Sequence, residues 1–187
     1  MNAPVHSNDF TKQLRKGDWM QTYTGRQFWP MDPRPEEVNI RDIAFALSKM
    51  CRYGGHCLRF YSVAEHCVHV ARAAAWENKL AALMHDASEA YLVDVPRPVK
   101  AGLSNYAEIE NRLMEAIAVR FKFQWPLPPE VKRLDNGILH DEMSQIMAPP
   151  PADWKLTDPP LCIELECWSP EVAAMKFIQA FDKYSSA

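Results

Sequence analysis

Two adjacent side chains with metal-binding chemistry, His85 and Asp86, interrupt an apolar segment of the chain. They follow the run Ala-Ala-Leu-Met at 81–84, where a buried helical stripe would be expected to continue. On a helix their directions differ by about 100°, so both side chains can reach one ion. Glu89 is one turn further along on the same flank. Because a buried carboxylate is costly unless it is paired or bound to a cation, this pattern indicates a candidate site.

A His-Asp dipeptide alone is weak evidence, because a second one, His140-Asp141, is also present. Two other segments strengthen the first pair. His66 and Asp135 each lie within an apolar helical pattern and are expected to point toward the core. Together the candidates offer two imidazoles and two carboxylates, a set that suits Mn, Fe, Co, Ni, Zn or, less well, Mg. The candidate ligands are His66, His85, Asp86 and Asp135.

The segments that must position these side chains are predicted to be helices, because the chain has no alternating Val-, Ile- or Thr-rich run of strand length. Residues 22–34, with several aromatics and prolines, are expected to form an irregular segment or a short hairpin. Ser62 and Asn105 each begin a capping box, with an acid three residues later. The predicted helices follow an Asn39 cap, cover about 62–75, 79–91 and 130–147, and begin at Asn105 and at Ser169-Pro170.

Chain length and element content predict one all-α domain, a helical bundle. The chain has 187 residues, which is short for two ordinary domains. Its core is expected over about 38–147. An irregular N-terminal segment, 1–37, precedes this core, and a proline-rich stretch with a helix, 148–187, follows it.

Composition and charge exclude several classes of function. The net charge is −3, which argues against a protein that binds nucleic-acid polymers. No apolar run approaches the roughly 18 residues that a membrane span needs, and the polar residues 1–16 lack the apolar stretch of a secretory signal. The 5 cysteines contain no C-x-x-C, so reduced thiols are expected. These features together predict a cytoplasmic protein.

Three parts of the chain resemble the H…HD…D pattern of the HD-domain metal-dependent phosphohydrolases: residues 62–66, residues 85–100 and Asp135. Within that superfamily the sequence is most similar to the bacterial HD-type 5′-deoxynucleotidases and to compact phage and prophage enzymes that include a dATP triphosphohydrolase. The resemblance covers about 52–142 and implies an HD-domain helical bundle with the four ligands named above. It makes His140-Asp141 a decoy, since Asp135 fits the last ligand position better.

The same resemblance implies roles for two further acids. Glu89 would orient or deprotonate the attacking water, and Asp94 would act near the leaving group or the sugar. The position before the second acid is often glycine in these enzymes but is Val93 here.

The resemblance also implies substrate contacts. Arg52 would bind phosphate, and Tyr53 would pack against the nucleoside. Because two carboxylate ligands already neutralise a divalent ion, the phosphate needs further cations, and Lys100 is the next candidate. His56, in the loop after Arg52, is a further substrate-binding candidate. Weaker candidate cations are Arg97 and Lys132, and the tryptophans Trp29, Trp125, Trp154 and Trp168 are interpreted as packing residues rather than base-stacking platforms.

The function expected from this resemblance is removal of phosphate or triphosphate from deoxynucleoside 5′-phosphates such as dAMP or dATP. A homo-oligomer is expected because the similar enzymes are oligomers. One alternative is a hydrolase of cyclic or signalling nucleotides, although such relatives often carry a second histidine set for another metal. The other alternative is a non-catalytic metal-binding scaffold, which the retention of Glu89 and Asp94 disfavours.

Overall fold

A computed structural model describes residues 15–186. This part of the chain is mostly helical and includes a hairpin of two short strands, β1 (Met20–Gln21) and β2 (Gln27–Phe28). Within residues 15–186, no helix has both the length and the apolar character needed to cross a bilayer. The helices are α1 (Ile40–Leu47), α2 (Val63–Ala73), α3 (Lys79–Leu83), α4 (Glu89–Leu92), α5 (Arg97–Lys100), α6 (Tyr106–Phe121), α7 (Pro129–Ile146) and α8 (Pro170–Ser185).

The mainly helical fold agrees with the all-α expectation except for this small hairpin, which also corrects the description of 1–37 as irregular. Its strands are antiparallel, with Met20 opposite Phe28. Thr24 in the hairpin turn donates from its backbone N–H to Asp42 of α1 at 2.7 Å, which ties the turn to the helical body. The prediction of a hairpin within 22–34 therefore describes this region better than an irregular segment does. Residues 1–14 of the expected irregular segment lie outside the described part of the chain.

The core surrounds α2, whose residues 63–71 are all buried. α3, α7 and α8 pack against α2, and α8 also packs against α1. The core extends beyond the expected bounds of 38–147, because Phe28 from β2 and Phe177 from α8 are fully buried in it. A helix this thoroughly buried carries its polar side chains into the interior, where each needs a partner.

Only one of the two hydrogen bonds expected of the Ser62 capping box is formed. The Ser62 hydroxyl accepts from the backbone N–H of Glu65 at 3.1 Å, as expected. The Glu65 carboxylate instead accepts from the backbone N–H groups of Cys167 and Trp168, at 2.7 and 2.6 Å. The box expected at Asn105 is wrong, since the Asn105 side chain makes no capping hydrogen bond.

The continuous helix expected over 79–91 is divided into α3 and α4. After Leu83 the chain continues in turns, and the Ala87 N–H bonds the Met84 carbonyl three residues back. At this break His85 Nδ1 is 2.8 Å from the Ala82 carbonyl, which in a continuous helix would accept the N–H of Asp86. His85 and Asp86 therefore lie in a turn between two short helices, and the sequence-based placement on one helix is wrong.

A segment that we call the strap, residues 148–169, returns along α7. Asp141 of α7 accepts from the backbone N–H groups of Leu161 and Ile163, at 3.0 and 3.3 Å. One turn further on, Gln145 donates to the Ile163 carbonyl and accepts from the Leu165 N–H. His140 bonds the Asp158 carbonyl at 2.9 Å, so the second His-Asp pair lies on the strap side of α7.

Close approach of the strap depends on a glycine. A Cβ at Gly137 of α7 would lie 2.5 Å from the Pro159 carbonyl oxygen, a contact that requires the backbone to move. We expect Gly137→Ala to lower the free energy of unfolding by up to about 2 kcal/mol, because overpacking costs roughly 1–3 kcal/mol and helix propensity returns roughly 1 kcal/mol. Urea denaturation measures this change.

Gly102→Ala is the matched control, because a Cβ there meets only the Val99 carbonyl oxygen, at 3.5 Å. That substitution is expected to be neutral or slightly stabilising. Equal effects of the two alanines on stability would contradict the close-approach argument.

Candidate metal centre

Four side-chain atoms from three parts of the chain converge on one point. His66 Nε2, from α2, lies 3.1 Å from His85 Nε2 in the turn between α3 and α4. Asp135 Oδ1, from α7, lies 3.3 Å from His66 Nε2 and 3.7 Å from His85 Nε2. Asp86 Oδ2 lies 3.2 Å from His85 Nε2 and 3.7 Å from His66 Nε2. The structure thus brings together all four of the ligands expected from the sequence.

The tautomers of the two histidines follow from what their other nitrogens contact. His85 Nδ1 faces the Ala82 carbonyl, which can only accept, so this nitrogen carries the proton. His66 Nδ1 faces the Glu142 carboxylate at 2.7 Å and donates to it. In the neutral rings both Nε2 atoms then carry lone pairs, and two lone pairs 3.1 Å apart cannot form a hydrogen bond.

A divalent cation fits this donor set. Metal–ligand distances of about 2.0–2.2 Å separate neighbouring ligands by roughly 3.0 Å in an octahedral site and roughly 3.4 Å in a tetrahedral one. The described pairs span 3.1–3.7 Å, close to both. The two imidazoles, with each Nδ1 held by an acceptor, could therefore hold a metal ion together with Asp135. Asp86 Oδ2 lies within 3.7 Å of both Nε2 atoms and is the candidate fourth ligand.

The electrostatics of the cluster favour a positive charge at its centre. Burial would raise the pKa of Asp86, but the charge of His85 lowers it by more, so the net pKa is well below the usual range. The pKa of Asp135 is likewise lowered, since hydrogen bonds from His66 and His85 outweigh its burial. Burial lowers the pKa of His85, but Asp86 raises it by more. The two carboxylates are thus ionised at neutral pH and require a cation or a proton between the rings.

Glu142 is the residue that sequence reasoning missed. Its carboxylate is fully buried and accepts from His66, from the Arg52 guanidinium at 3.1 and 3.3 Å, and from the Tyr53 hydroxyl. Burial would raise its pKa, but Arg52 and His66 lower it to about 2. A signal existed in the sequence, because Glu142 follows Asp135 by seven residues and so occupies the same face of α7 two turns later.

A tight turn aims Arg52 and Tyr53 inward. The 3-10 turn Arg52–Gly55 contains left-handed φ values of 58° at Tyr53, 60° at Gly54 and 83° at Gly55. Only glycine adopts such angles without cost, so the two glycines suit the turn, whereas Tyr53 is held there by its bond to Glu142. His56 ends the turn exposed and outside the lining of the cavity described next. The structure therefore does not bring His56 to the other predicted substrate-binding residues.

A cavity of about 570 Å³ opens beside the four ligands. The acids Glu89 and Asp94 line it, together with Arg52, Tyr53 and Lys100. Its wall also contains the metal-ligand candidates Asp86 and Asp135, the cations Arg97 and Lys132, and the strap residues Trp154 and Leu156.

The two acids of the cavity differ from ordinary surface carboxylates. Burial, then the charges of Asp86 and Asp94, raises the pKa of Glu89 well above its usual value. Glu89 Oε1 lies 3.6 Å from Lys100 Nζ, and its buried Oε2 has no hydrogen-bond partner among residues 15–186. Burial also raises the pKa of Asp94. Glu89 thus presents a free oxygen that can take up a proton.

Two cations that ranked low on sequence grounds contact a ligand directly. Lys132 Nζ lies 2.8 Å and Arg97 Nη2 3.4 Å from Asp135 Oδ2. Asp135 therefore turns one oxygen toward the histidines and the other toward these cations. Lys100, by contrast, is paired with Glu110 at 2.9 Å.

Two known proteins of bacteria are similar in sequence to this chain. No family model matches it. It is 35% identical over 124 residues to the "Uncharacterized protein YfdR" of Escherichia coli, a match that covers 66% of this chain and 70% of that relative. The chain belongs to the same protein family as YfdR. The chain is also 38% identical over 128 residues to the "Uncharacterized protein RCAP_rcc00048" of Rhodobacter capsulatus, a match that covers 63% of this chain and 65% of that relative.

We expect Glu142→Gln to weaken metal binding in this YfdR-family protein about 10- to 100-fold. The reason is that the buried carboxylate orients His66 and increases the basicity of its Nε2. Titration of the metal-free protein with Mn²⁺ or Co²⁺ against a competing chelator measures the affinity. Glu115→Gln, at an exposed position of α6, is the control and should bind metal as the parent does. Unchanged affinity in Glu142→Gln would contradict its positioning role.

Val93 carries backbone strain. Its φ of 70° and ψ of 151° fall in a region that is essentially restricted to glycine, and its branched side chain is 62% exposed. This conformation ends α4 and leads into Asp94, which lines the cavity. Glycine, which the resemblance leads one to expect here, would suit this backbone without strain.

Val93→Gly is expected to raise the free energy of unfolding by about 1 kcal/mol. The strain released is roughly 1–3 kcal/mol, and the added entropy of the unfolded chain offsets about 0.5–1 kcal/mol of it. Val99→Gly, at an exposed position of α5, is the matched control and should be destabilising by about 1 kcal/mol. Thermal unfolding compares the two, and a loss of stability in both variants would refute the strain argument.

Proposed function

We propose that this protein is an HD-domain phosphohydrolase that removes phosphate, or triphosphate, from deoxynucleoside 5′-phosphates. The observation that carries the proposal is the convergence of His66, His85, Asp86 and Asp135 beside a cavity. The resemblance to HD-type enzymes in ligand spacing supports it. The same resemblance supports a homo-oligomer in the cytoplasm as part of the proposal.

The charges of the cavity support a phosphorylated substrate. Asp86 and Asp135 would neutralise a divalent ion, so a phosphate must be balanced by side chains. Arg52 is the strongest of these: burial would lower its pKa, but Glu142 raises it by more, so the guanidinium stays charged. Its Nη1 lies 3.7 Å from Asp86 Oδ2, beside the cluster, where it would bind a phosphate oxygen. The other cations of the wall are Arg97, Lys100 and Lys132.

A divalent cation at this site would polarise a phosphoryl oxygen and acidify water. The protein's own part is to move protons and to hold the substrate. Glu89, with its unpartnered Oε2, would accept the proton of the attacking water. Asp94, whose pKa burial raises, would donate a proton to the leaving oxygen.

The arrangement favours one ion over two, which weighs against the cyclic- or signalling-nucleotide alternative. Among residues 15–186, two groups of three side chains could hold an ion, His66 with His85 and Asp135, and Cys67 with His85 and Asp86, and they share His85. Burial raises the pKa of the Cys67 thiol to about 11, so it stays protonated and binds metal poorly at neutral pH. The non-catalytic alternative does not explain why Glu89 Oε2 is buried without a hydrogen-bond partner in the described part of the chain.

The proposal predicts a separation of metal binding from turnover. With Mn²⁺ or Co²⁺, the protein is expected to hydrolyse dAMP or dATP, and chromatography shows whether phosphate or triphosphate is released. Asp86→Ala should lose both bound metal and turnover. Glu89→Gln should keep the metal but lose turnover by roughly 100- to 10,000-fold, because only the proton acceptor is removed. Elemental analysis of each purified protein supplies the metal content.

Asp182→Asn, at an exposed position of α8, serves as the control and should match the parent. Absence of product from both nucleotides with every metal tested would overturn the proposal. Full turnover in Asp86→Ala would show that the hydrolytic site lies elsewhere. Full turnover in Glu89→Gln would remove Glu89 from the reaction while leaving the metal centre in place.

A further inference from the structure

The lining of the cavity beside the metal centre combines two kinds of side chain. Its charged part comprises the acids and the four cations already described. Its apolar part consists of Tyr53, Val95, Pro96, Pro98, Leu139, Trp154 and Leu156. Its volume of about 570 Å³ lies within the roughly 300–1,000 Å³ range of small-molecule sites. A ligand that fills it must therefore combine an anionic group with a flat or apolar one.

Trp154 is the largest aromatic side chain in the apolar part of the cavity lining. Its ring centroid lies 5.9 Å from that of Tyr53, with the planes at 53°, so the two rings form adjoining walls of a corner. Trp154 is only half-buried. The interpretation of this residue as a packing tryptophan is therefore incomplete, because it also lines the cavity.

The strap holds Trp154 in place on both sides. Asp153 accepts from the Lys155 backbone N–H at 2.9 Å, which forms a turn centred on Trp154. Four residues later, Asp158 is bound by the Asn136 and His140 side chains of α7, each at 2.9 Å. The ring is thus positioned by the helix that also carries Asp135, and it keeps a defined relation to the metal centre.

We propose that Trp154, together with Tyr53, forms the subsite that binds the base of a nucleoside phosphate whose phosphate group lies at Arg52. This inference rests on the proposed function and names its substrate class. A nucleobase is flat and presents a π-face that stacks on aromatic side chains. The sugar and the phosphate would then lie near the cations of the cavity wall. The strap would thereby make the protein select nucleotides over simpler phosphate esters.

The test compares two ligands that share the phosphate and the sugar but differ in the base: dAMP and 2-deoxyribose 5-phosphate. Binding is measured by calorimetry with Mn²⁺ in the Glu89→Gln background, where turnover is removed. Adding Trp154→Ala should weaken dAMP binding about tenfold and leave 2-deoxyribose 5-phosphate binding within twofold. Trp154→Phe should restore most of the affinity for dAMP. Trp76→Ala, an exposed tryptophan that packs against Tyr184, should change neither.

Three outcomes would overturn the subsite. Equal weakening of both ligands by Trp154→Ala would assign the tryptophan a purely structural role. Unchanged dAMP binding in that variant, or no measurable dAMP binding in the background protein, would exclude base recognition at this wall. Hydrolysis by the parent protein is assayed separately, so a failure of the proposed function shows as dAMP bound but not cleaved.

Discussion

The structure depends on two imidazole nitrogens that face each other across 3.1 Å. Neither neutral ring can offer a proton there, because the Ala82 carbonyl takes the Nδ1 proton of His85 and the Glu142 carboxylate takes that of His66. Together with two ionised aspartates, the rings form a concentration of electron pairs that only a positive charge can stabilise. A divalent cation or a proton on one ring supplies that charge, so the centre could hold a metal ion.

The surrounding helices and turns position the two histidines and the two aspartates. The break between α3 and α4 turns His85 and Asp86 inward together, and the Ala82 carbonyl that fixes the His85 tautomer belongs to α3. On the opposite side, Glu142 binds both His66 and Arg52, so one buried carboxylate orients a candidate metal ligand and the buried guanidinium at once. A substitution at Glu142 would therefore affect both side chains at once, whereas a substitution at His66 or at Arg52 would remove only one of them.

The sequence predicts the long helices better than it predicts the break between α3 and α4 or the long-range contacts. α1, α2, α7 and α8 follow from amphipathic spacing and from the Asn39, Ser62 and Ser169 caps, all of which form. The break after Leu83 escaped prediction, because residues 79–91 contain no proline or glycine that would signal the end of a helix. Glu142 was not singled out, since nothing local reveals that Arg52, ninety residues earlier, would bury against it. Trp154 does pack against Tyr53, but its place in the cavity wall depends on the path of the strap, which no local pattern records.

The Glu65 carboxylate links α2 to the end of the strap. It is fully buried next to His66 in sequence, and two backbone N–H groups at the end of the strap donate to it. Detachment of the strap end and α8 would remove both hydrogen bonds from this carboxylate, at a cost of several kcal/mol. Local fraying of the C-terminal part is therefore suppressed, and amide hydrogen exchange in α2 and α8 should report a single cooperative opening.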